Sequence, residues 1–308
     1  MKAETQKRVE FVVAGTFKNV MGGFLIDRRS RGLSKGTLRF YESELSLFAD
    51  FLDGQGVITF EELTPDVIRK YLIRLESSRH AGGIHCAYRS IRALCNWYGE
   101  EFEPEGWKNP IRKVHPPKVS RDPRPGVPVD DVMAMIQACH GENEQRDRAI
   151  LMTLLDTGAR AAELLALNLK DVDLLSGEVL ILHGKGNKAR TVFLGSRSRK
   201  AVKVYLKLRG PLCEDDPLFI SRSGGRLSYG GLVHVLGSRA ARAGVDAPGC
   251  HDFRRAFALQ MLRSGVDLMR LATLMGHSDL EVLRRYIHLV TSDIRAAHAQ
   301  GSPVDKAD

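Results

Sequence analysis

The sequence predicts a mainly α-helical protein in two parts: an N-terminal four-helix domain and a larger, mostly helical domain with a small antiparallel sheet. Three observations predict it. Apolar residues recur every three or four positions through most of the first hundred residues. Two short β-prone runs flank a Gly/Asn-rich turn in the second half, and half of the twelve prolines crowd into the stretch between the two patterns. At 308 residues the chain can bury a core in each of two domains, and 43% hydrophobic with 27% charged residues is a globular composition.

In the first domain, Phe17, Val20, Met21, Phe24 and Leu25 form one short amphipathic helix within an otherwise aperiodic first thirty residues. Ser34 is an N-cap, after which Leu38, Tyr41, Leu45, Phe48 and Leu52 fall on one face until Gly54 and Gly56 end the helix. Thr64-Pro65-Asp66 opens another, with proline at the first helical position, where its missing N–H costs little. A fourth runs from Gly83 to Tyr98 through Ile84, Tyr88, Ile91, Leu94 and Cys95.

From Glu103 to Val127, six prolines alternate with Lys108, Arg112, Lys113, Lys118, Arg121 and Arg124. Proline density forbids helix and keeps the chain extended, which suits either a solvated linker or a basic strap along a polyanion; the boundary falls near residue 120. Beyond it, residues 130–140, 145–156 and Arg160 to Leu167 read as helices. Glu178 to His183 and Arg190 to Leu194 read as hairpin strands around Gly184-Lys-Gly-Asn-Lys-Ala189, and Pro217 to Ser221 as a further short strand. From Leu227 the pattern is helical, broken at Gly244, Gly265 and Gly276.

Composition narrows the function classes. The formal charge is +9, with 19 basic against 15 acidic residues in the first 120 and 27 against 22 in the rest, so the excess is spread over both parts. This permits a nucleic-acid partner without requiring one. Five cysteines without a CxxC pair indicate neither a disulfide framework nor a zinc site. The longest apolar runs, such as Ala149 to Leu155, are too short to span a bilayer, and the N-terminus lacks a secretory pattern. The expectation is a soluble, reduced, intracellular protein.

Four segments of the second domain carry polar residues that packing does not ask for. Arg160 stands at a helix start, against the macrodipole, an arrangement that makes sense beside a bound anion; Glu163, three residues on, is placed to orient it, or the two form a local surface pair. Lys185, with Lys188 and Arg190 nearby, sits in a hairpin turn, either solvated or reaching a DNA groove to donate a proton or touch a base edge. His251 and Arg254 share one helical face at i, i+3 and can grip one phosphate. His277 follows the helix-ending Gly276. Nine residues further, Tyr286 lies among Arg284, Arg285 and His288, cations that favour its phenolate.

This order, Arg160, hairpin Lys185, His251-x-x-Arg254, Gly276-His277 and then Tyr286, closely resembles the tyrosine recombinase (phage integrase) family, in its simple two-domain Xer-like form. The resemblance runs from Leu33 to Leu289 and includes Leu33-Ser-Lys-Gly-Thr37, Arg89-Ser-Ile-Arg92 and Asn109-Pro110 in the first domain. It implies a four-helix SAM-like core-binding domain over residues 1–118, a basic linker over 119–128, a mixed α/β catalytic domain over 129–295 and a flexible tail over 296–308. The implied reaction cuts and rejoins duplex DNA through a 3′-phosphotyrosyl bond. Tyr286 is the implied nucleophile, Arg160 and Arg254 the phosphate clamp, Lys185 the general acid, His251 a proton acceptor or hydrogen-bond partner, and His277 a donor to a phosphate oxygen, with Glu163 supporting.

Further implied DNA contacts are Lys188, Arg190, Arg255, Arg89, Arg92 and Lys113. No metal or other cofactor is implied, nor any membrane. The implied partners are double-stranded recombination sites and other protomers, as a tetramer on two sites formed with itself or with a related recombinase, a C-terminal helix from Thr291 to Gln300 packing into a neighbour. The expected location is the cytoplasm of a bacterium or archaeon, at the nucleoid. Two points stay open: Arg255 stands where many family members have histidine, adding a phosphate contact or pointing outward, and Lys188 or Arg190 competes with Lys185 for the general-acid position. An architectural DNA-binding protein of the same fold, or a type IB topoisomerase-like enzyme, is the alternative reading.

Overall fold

The structure is a computed structural model that describes residues 16–119, 126–140, 144–182 and 189–276, together with residues 298, 302 and 304. The chain divides between Arg121 and Asp122 into two compact units.

The first unit is a bundle of α1 (Phe17–Ser30), α2 (Lys35–Gly54), α3 (Pro65–Leu75) and α4 (Ala81–Phe102). Ser34 caps α2, its Oγ accepting from the Thr37 N–H at 3.2 Å. Thr64 caps α3 toward Val67 at 3.4 Å, with Pro65 first in the helix. The periodic residues meet in one core: Phe17 lies edge-on to Phe48 with ring centroids 5.4 Å apart, and Phe60 packs on Tyr98 at 4.2 Å. Two helices outrun their sequence patterns. α1 continues past Leu25 to Ser30, where Arg28 and Arg29 oppose the negative end of the helix dipole, and α4 spans 22 residues rather than Gly83 to Tyr98.

The start of the proline-rich stretch, expected to be extended as either a linker or a strap, folds instead. Residues 110–113 make a 3₁₀ turn in which the Asn109 side chain accepts from the Ile111 N–H at 3.1 Å. Ile111 and Val114 are buried in the first unit's core. The Val114 carbonyl accepts from the Tyr88 hydroxyl at 3.1 Å and the Lys113 carbonyl from Arg69 at 2.7 Å. Two apolar side chains three residues apart pull the chain onto the bundle, a signal that proline density masks. Residues 120–125, which carry Arg121 and Arg124, lie outside the described residues.

The second unit holds α5 (Val129–Gln137), α6 (Gln145–Thr157), α7 (Ala161–Ala166), strands β1 (Glu178–Ile181) and β2 (Arg190–Phe193), then α8 (Ser196–Arg209), α9 (Tyr229–Ala243), α10 (Cys250–Arg263) and α11 (Leu268–Met275). The strands pair antiparallel in the register Val179↔Val192, Ile181↔Arg190. Val179, Ile181 and Val192 turn into the core while Leu180 and Phe193 face out, as strand alternation requires. α6 packs against both α8 and α10. Its apolar side chains Ala149, Ile150, Leu151 and Leu154 are buried at the centre of this unit's core.

The strand expected at Pro217 to Ser221 is not one: among the described residues it makes only isolated bridges, Asn168↔Pro217 and Ile220↔Arg226. Pro217 has no N–H for a ladder, and Leu218 and Phe219 are apolar because they fill the core. Left-handed glycines end three helices, Gly158 after α6, Gly244 after α9 and Gly276 after α11. No described helix is long and apolar enough to cross a membrane.

Candidate active site

Arg160 and Glu163 come together first. α6 ends at Gly158, whose φ of +58° suits glycine and whose Cα faces Phe257 so closely that a Cβ would stand 2.4 Å from its ring. This tight turn starts α7 at once, with Arg160 as the residue before it. Glu163 then accepts from the Arg160 backbone N–H at 2.7 Å through Oε2 and from the Arg160 guanidinium at 2.7 Å through Oε1. The Arg160 side chain stays 27% exposed, whereas that of Glu163 is only 3% exposed.

Arg190 takes a place the sequence did not suggest. It was expected to face DNA; instead its side chain is 8% exposed and closes the other side of Glu163. Nη1 donates to Oε1 at 2.9 Å and Nη2 to Oε2 at 2.7 Å, a bidentate pair, while Nε donates to the Leu274 carbonyl at 3.0 Å. The physical reason is Glu163: a carboxylate buried this deeply needs more than one cation, and β2 runs past it. Burial alone would push the Glu163 carboxyl up, but the hydrogen bonds from Arg190 and from the backbone and side chain of Arg160 overcome it and hold the group at about 2.

α10 supplies His251, Arg254 and Arg255. Gly249 and Asp252 start the helix, Asp252 accepting from the Gly249 N–H at 2.9 Å. Arg254 is 1% exposed, with Nη1 donating to the Gly158 carbonyl at 2.7 Å and Nη2 to the Met275 carbonyl at 2.5 Å. It is therefore tied to the turn two residues before Arg160. His251 lies one turn earlier on α10. Partial desolvation first, then the guanidiniums of Arg255 and Arg254, keep its imidazole pKa below the usual histidine value against the pull of Asp252; Arg160 acts in the same direction. Arg255 pairs with Asp252 at 2.9 Å, and its Cβ lies against Gly126, where a side chain would also strike the α10 backbone at 2.5 Å.

α11 ends where these elements meet. The carbonyls of Leu274 and Met275 receive Arg190 and Arg254, and Gly276 closes the helix at φ +61°. Helix C-termini leave carbonyls without intrahelical partners, and here two arginines from two other elements occupy them. A Cβ on Gly276 would stand 2.8 Å from Arg190 Cδ.

The structure thus brings together Arg160, Glu163, Arg190, His251 and Arg254, with Arg255 beside them. Lys185, Lys188, His277 and Tyr286 lie outside the described residues, as does nearly all of the expected C-terminal helix. Arg89, Arg92 and Lys113 belong to the first unit. The arginines are exposed one turn apart on α4, and Lys113 is exposed at the 3₁₀ turn. Asp156 is a residue whose role sequence reasoning missed: its Oδ2 accepts from the Gly195 N–H at 2.6 Å and fixes the junction of β2 with α8. Its only sequence signal is a carboxylate directly before the Thr157-Gly158 break. Among the described residues no group of three or more His, Cys, Asp or Glu is arranged to hold a metal ion.

The sequence model of the phage integrase family matches residues 127–292. Tyrosine recombinase XerC of Roseiflexus castenholzii is 29% identical over 286 residues, 89% of each chain. XerC of Actinobacillus pleuropneumoniae is 30% identical over 268 residues, 85% of this chain and 86% of that one. Among solved structures, the XerH site-specific recombinase bound to its difH substrate in a pre-cleavage complex superposes with a TM-score of 0.66 at 20% identity, covering 88% of this chain and 81% of that one. A lambda integrase dimer bound to a core site superposes at 0.73 and 16% identity, covering 92% and 80%. These two likenesses are of fold.

The chain belongs to the phage integrase family. It is a tyrosine recombinase, an enzyme that cuts and rejoins DNA strands site-specifically.

Proposed function

We propose that Tyr286 attacks a scissile phosphodiester of a duplex recombination site, leaving the DNA joined through a 3′-phosphotyrosyl bond and releasing a 5′-hydroxyl. Rejoining reverses the step: the 5′-hydroxyl of a partner strand attacks the same phosphorus and the tyrosine oxygen leaves, so no external energy source is consumed. Lys185 protonates the departing 5′ oxygen. His251, held toward its neutral form by partial burial and then by the arginines around it, accepts a proton or a hydrogen bond, and His277 donates to a phosphate oxygen. Arg160 and Arg254 bind the non-bridging oxygens and offset the charge of the pentacovalent transition state.

One observation carries this reading. A partly exposed Arg160 is clamped at backbone and side chain by a carboxylate that stays ionised, and Arg254 is fastened to the turn that presents Arg160, with His251 one helical turn away. A guanidinium fixed in this way is preorganised for an anion and loses little entropy on binding it. Arg89, Arg92, Lys113, Lys188 and Arg255 supply backbone contacts, residues 1–118 and 129–295 form the two DNA-gripping parts joined at 119–128, and residues 296–308 form the tail. Four protomers, alone or with a related recombinase, assemble on two sites through the C-terminal helix, in the cytoplasm at the nucleoid.

The test is incubation with a nicked half-site whose cleaved end diffuses away, trapping the intermediate. The wild type should give an SDS-resistant protein–DNA adduct and Tyr286→Phe none. An adduct of wild-type yield in Tyr286→Phe removes that residue as the nucleophile, and a wild type that binds the half-site without any adduct favours an architectural role.

A further inference from the structure

Arg190 reads from the sequence as a DNA contact, yet its buried side chain joins two other elements of the site. Its guanidinium spends two nitrogens on the two oxygens of Glu163 and the third on the Leu274 carbonyl, at 2.9, 2.7 and 3.0 Å. Those partners lie 27 and 84 residues away in sequence, on α7 and at the end of α11. The same Glu163 oxygens hold the backbone and side chain of Arg160. The stem of Arg190 runs across the Cα of Gly276 so closely that a methyl group there would stand 2.8 Å from Cδ, 3.1 Å from Nη1 and 3.2 Å from Nε. Residue 277 follows directly in the sequence.

An exposed basic residue on a hairpin would touch DNA and leave the protein interior indifferent to its loss. A guanidinium that is 8% exposed and committed at all three nitrogens does the opposite. Without it, Glu163 would keep only Arg160 as a cationic partner in a buried setting, and a carboxylate held from one side rotates toward the charge that remains. The Leu274 carbonyl would lose its partner at the end of α11. Lysine cannot repair both losses, since one ammonium lacks the planar fork that spans two carboxylate oxygens and a carbonyl at once.

We propose that Arg190 is a positioning residue for strand cleavage: its buried guanidinium locks Glu163, and through it Arg160, to the end of α11 at Gly276, the residue before His277. The inference rests on the roles proposed above for Arg160 and His277. Arg190 touches neither DNA nor the reacting phosphorus, and acts through the two groups it holds in register.

The test uses the full-length protein and Arg190→Ala, Arg190→Lys and Gly276→Ala, with two readouts. In amide hydrogen exchange without DNA, Arg190→Ala should raise exchange in residues 160–166 and 268–276 while leaving residues 17–102 as in the wild type. Unchanged exchange in both segments overturns the coupling, whatever the enzyme does to DNA. On the nicked half-site, Arg190→Ala should form adduct at least a hundredfold more slowly with a half-site Kd within threefold of wild type, and Arg190→Lys should recover at least tenfold of that loss without reaching the wild-type rate. A rate less than tenfold below wild type, or rate and affinity falling by the same factor, overturns the proposal. Where Arg190→Ala does not fold, Gly276→Ala decides: its methyl group displaces the Arg190 stem and should give the same slow cleavage at unchanged affinity, and a wild-type rate overturns the proposal. An absent wild-type adduct would count against the proposed function and not against the coupling, which the exchange measurement reads by itself.

Discussion

Replacing Glu163 by glutamine removes one charge and almost no volume, so its effect measures what the buried carboxylate does. Glu163 accepts four hydrogen bonds, two from Arg160 and two from Arg190, at 2.7 to 2.9 Å. A glutamine presents one oxygen and one NH₂, and the NH₂ would face donors. Arg190, 8% exposed, would be left as a buried cation without its counter-charge, a class of change that costs about 3–5 kcal/mol. An independent figure comes from ionisation: a carboxyl that falls from 4.5 to about 2 on folding adds about 3 kcal/mol of stability at neutral pH. The sign is that of a depressed acid. The stabilisation is fully present above pH 4.5 and is lost as pH falls toward 2, so the gap between wild type and Glu163→Gln should narrow by roughly 1 kcal/mol between pH 7 and pH 3.5. Urea unfolding followed by far-ultraviolet circular dichroism measures both. The two tryptophans, Trp97 and Trp107, lie in the first unit, so their fluorescence provides an internal control that should not move. A loss below about 1 kcal/mol, or one of equal size at both pH values, would show that the Glu163 carboxylate does not carry this stability.

Other perturbations have equally definite outcomes. Gly158→Ala places a methyl group 2.4 Å from the Phe257 ring at a φ of +58°; it should destabilise the second unit by about 2 kcal/mol or more in the same unfolding assay. Arg255→Ala removes the largest electrostatic influence that depresses His251 and leaves Asp252 to raise it, so the acid limb of the cleavage rate should move to higher pH while Arg255→Lys stays near wild type. Lys185→Ala should recover cleavage on a half-site whose 5′ oxygen is replaced by sulfur, because the better leaving group needs no acid; an unrecovered rate would pass the role to Lys188.

What the sequence made legible follows from how local each signal is. Ser34 and Thr64-Pro65 announce their helices because a cap and its N–H partner lie within three residues, and Val179, Ile181 and Val192 announce the hairpin because strand alternation is a two-residue rule. The motif residues Arg160, His251 and Arg254 were legible as a set through order and spacing. The structure adds how they are held: Arg254 spans 96 residues to reach Gly158.

Nonlocal facts stayed hidden. Residues 110–114 read as extended because of the prolines around them, since the bundle surface that buries Ile111 and Val114 is built by α3 and α4. Leu218 and Phe219 read as a strand because a short apolar run looks the same whether it pairs or fills a core. Arg190 read as a DNA contact because a basic residue beside a basic turn is usually exposed, and neither Glu163 nor Leu274 is near it in sequence. In each case a partner far along the chain decided the outcome.

The proposed chemistry turns on Tyr286 as the single point of covalent attachment to DNA. Digesting the trapped half-site adduct with nuclease and protease and sequencing the modified peptide by mass spectrometry tests it directly. A single phosphodeoxynucleoside-bearing peptide is expected, modified at Tyr286 through the 3′ phosphate. Modification at any other residue, or through a 5′ phosphate, would contradict it.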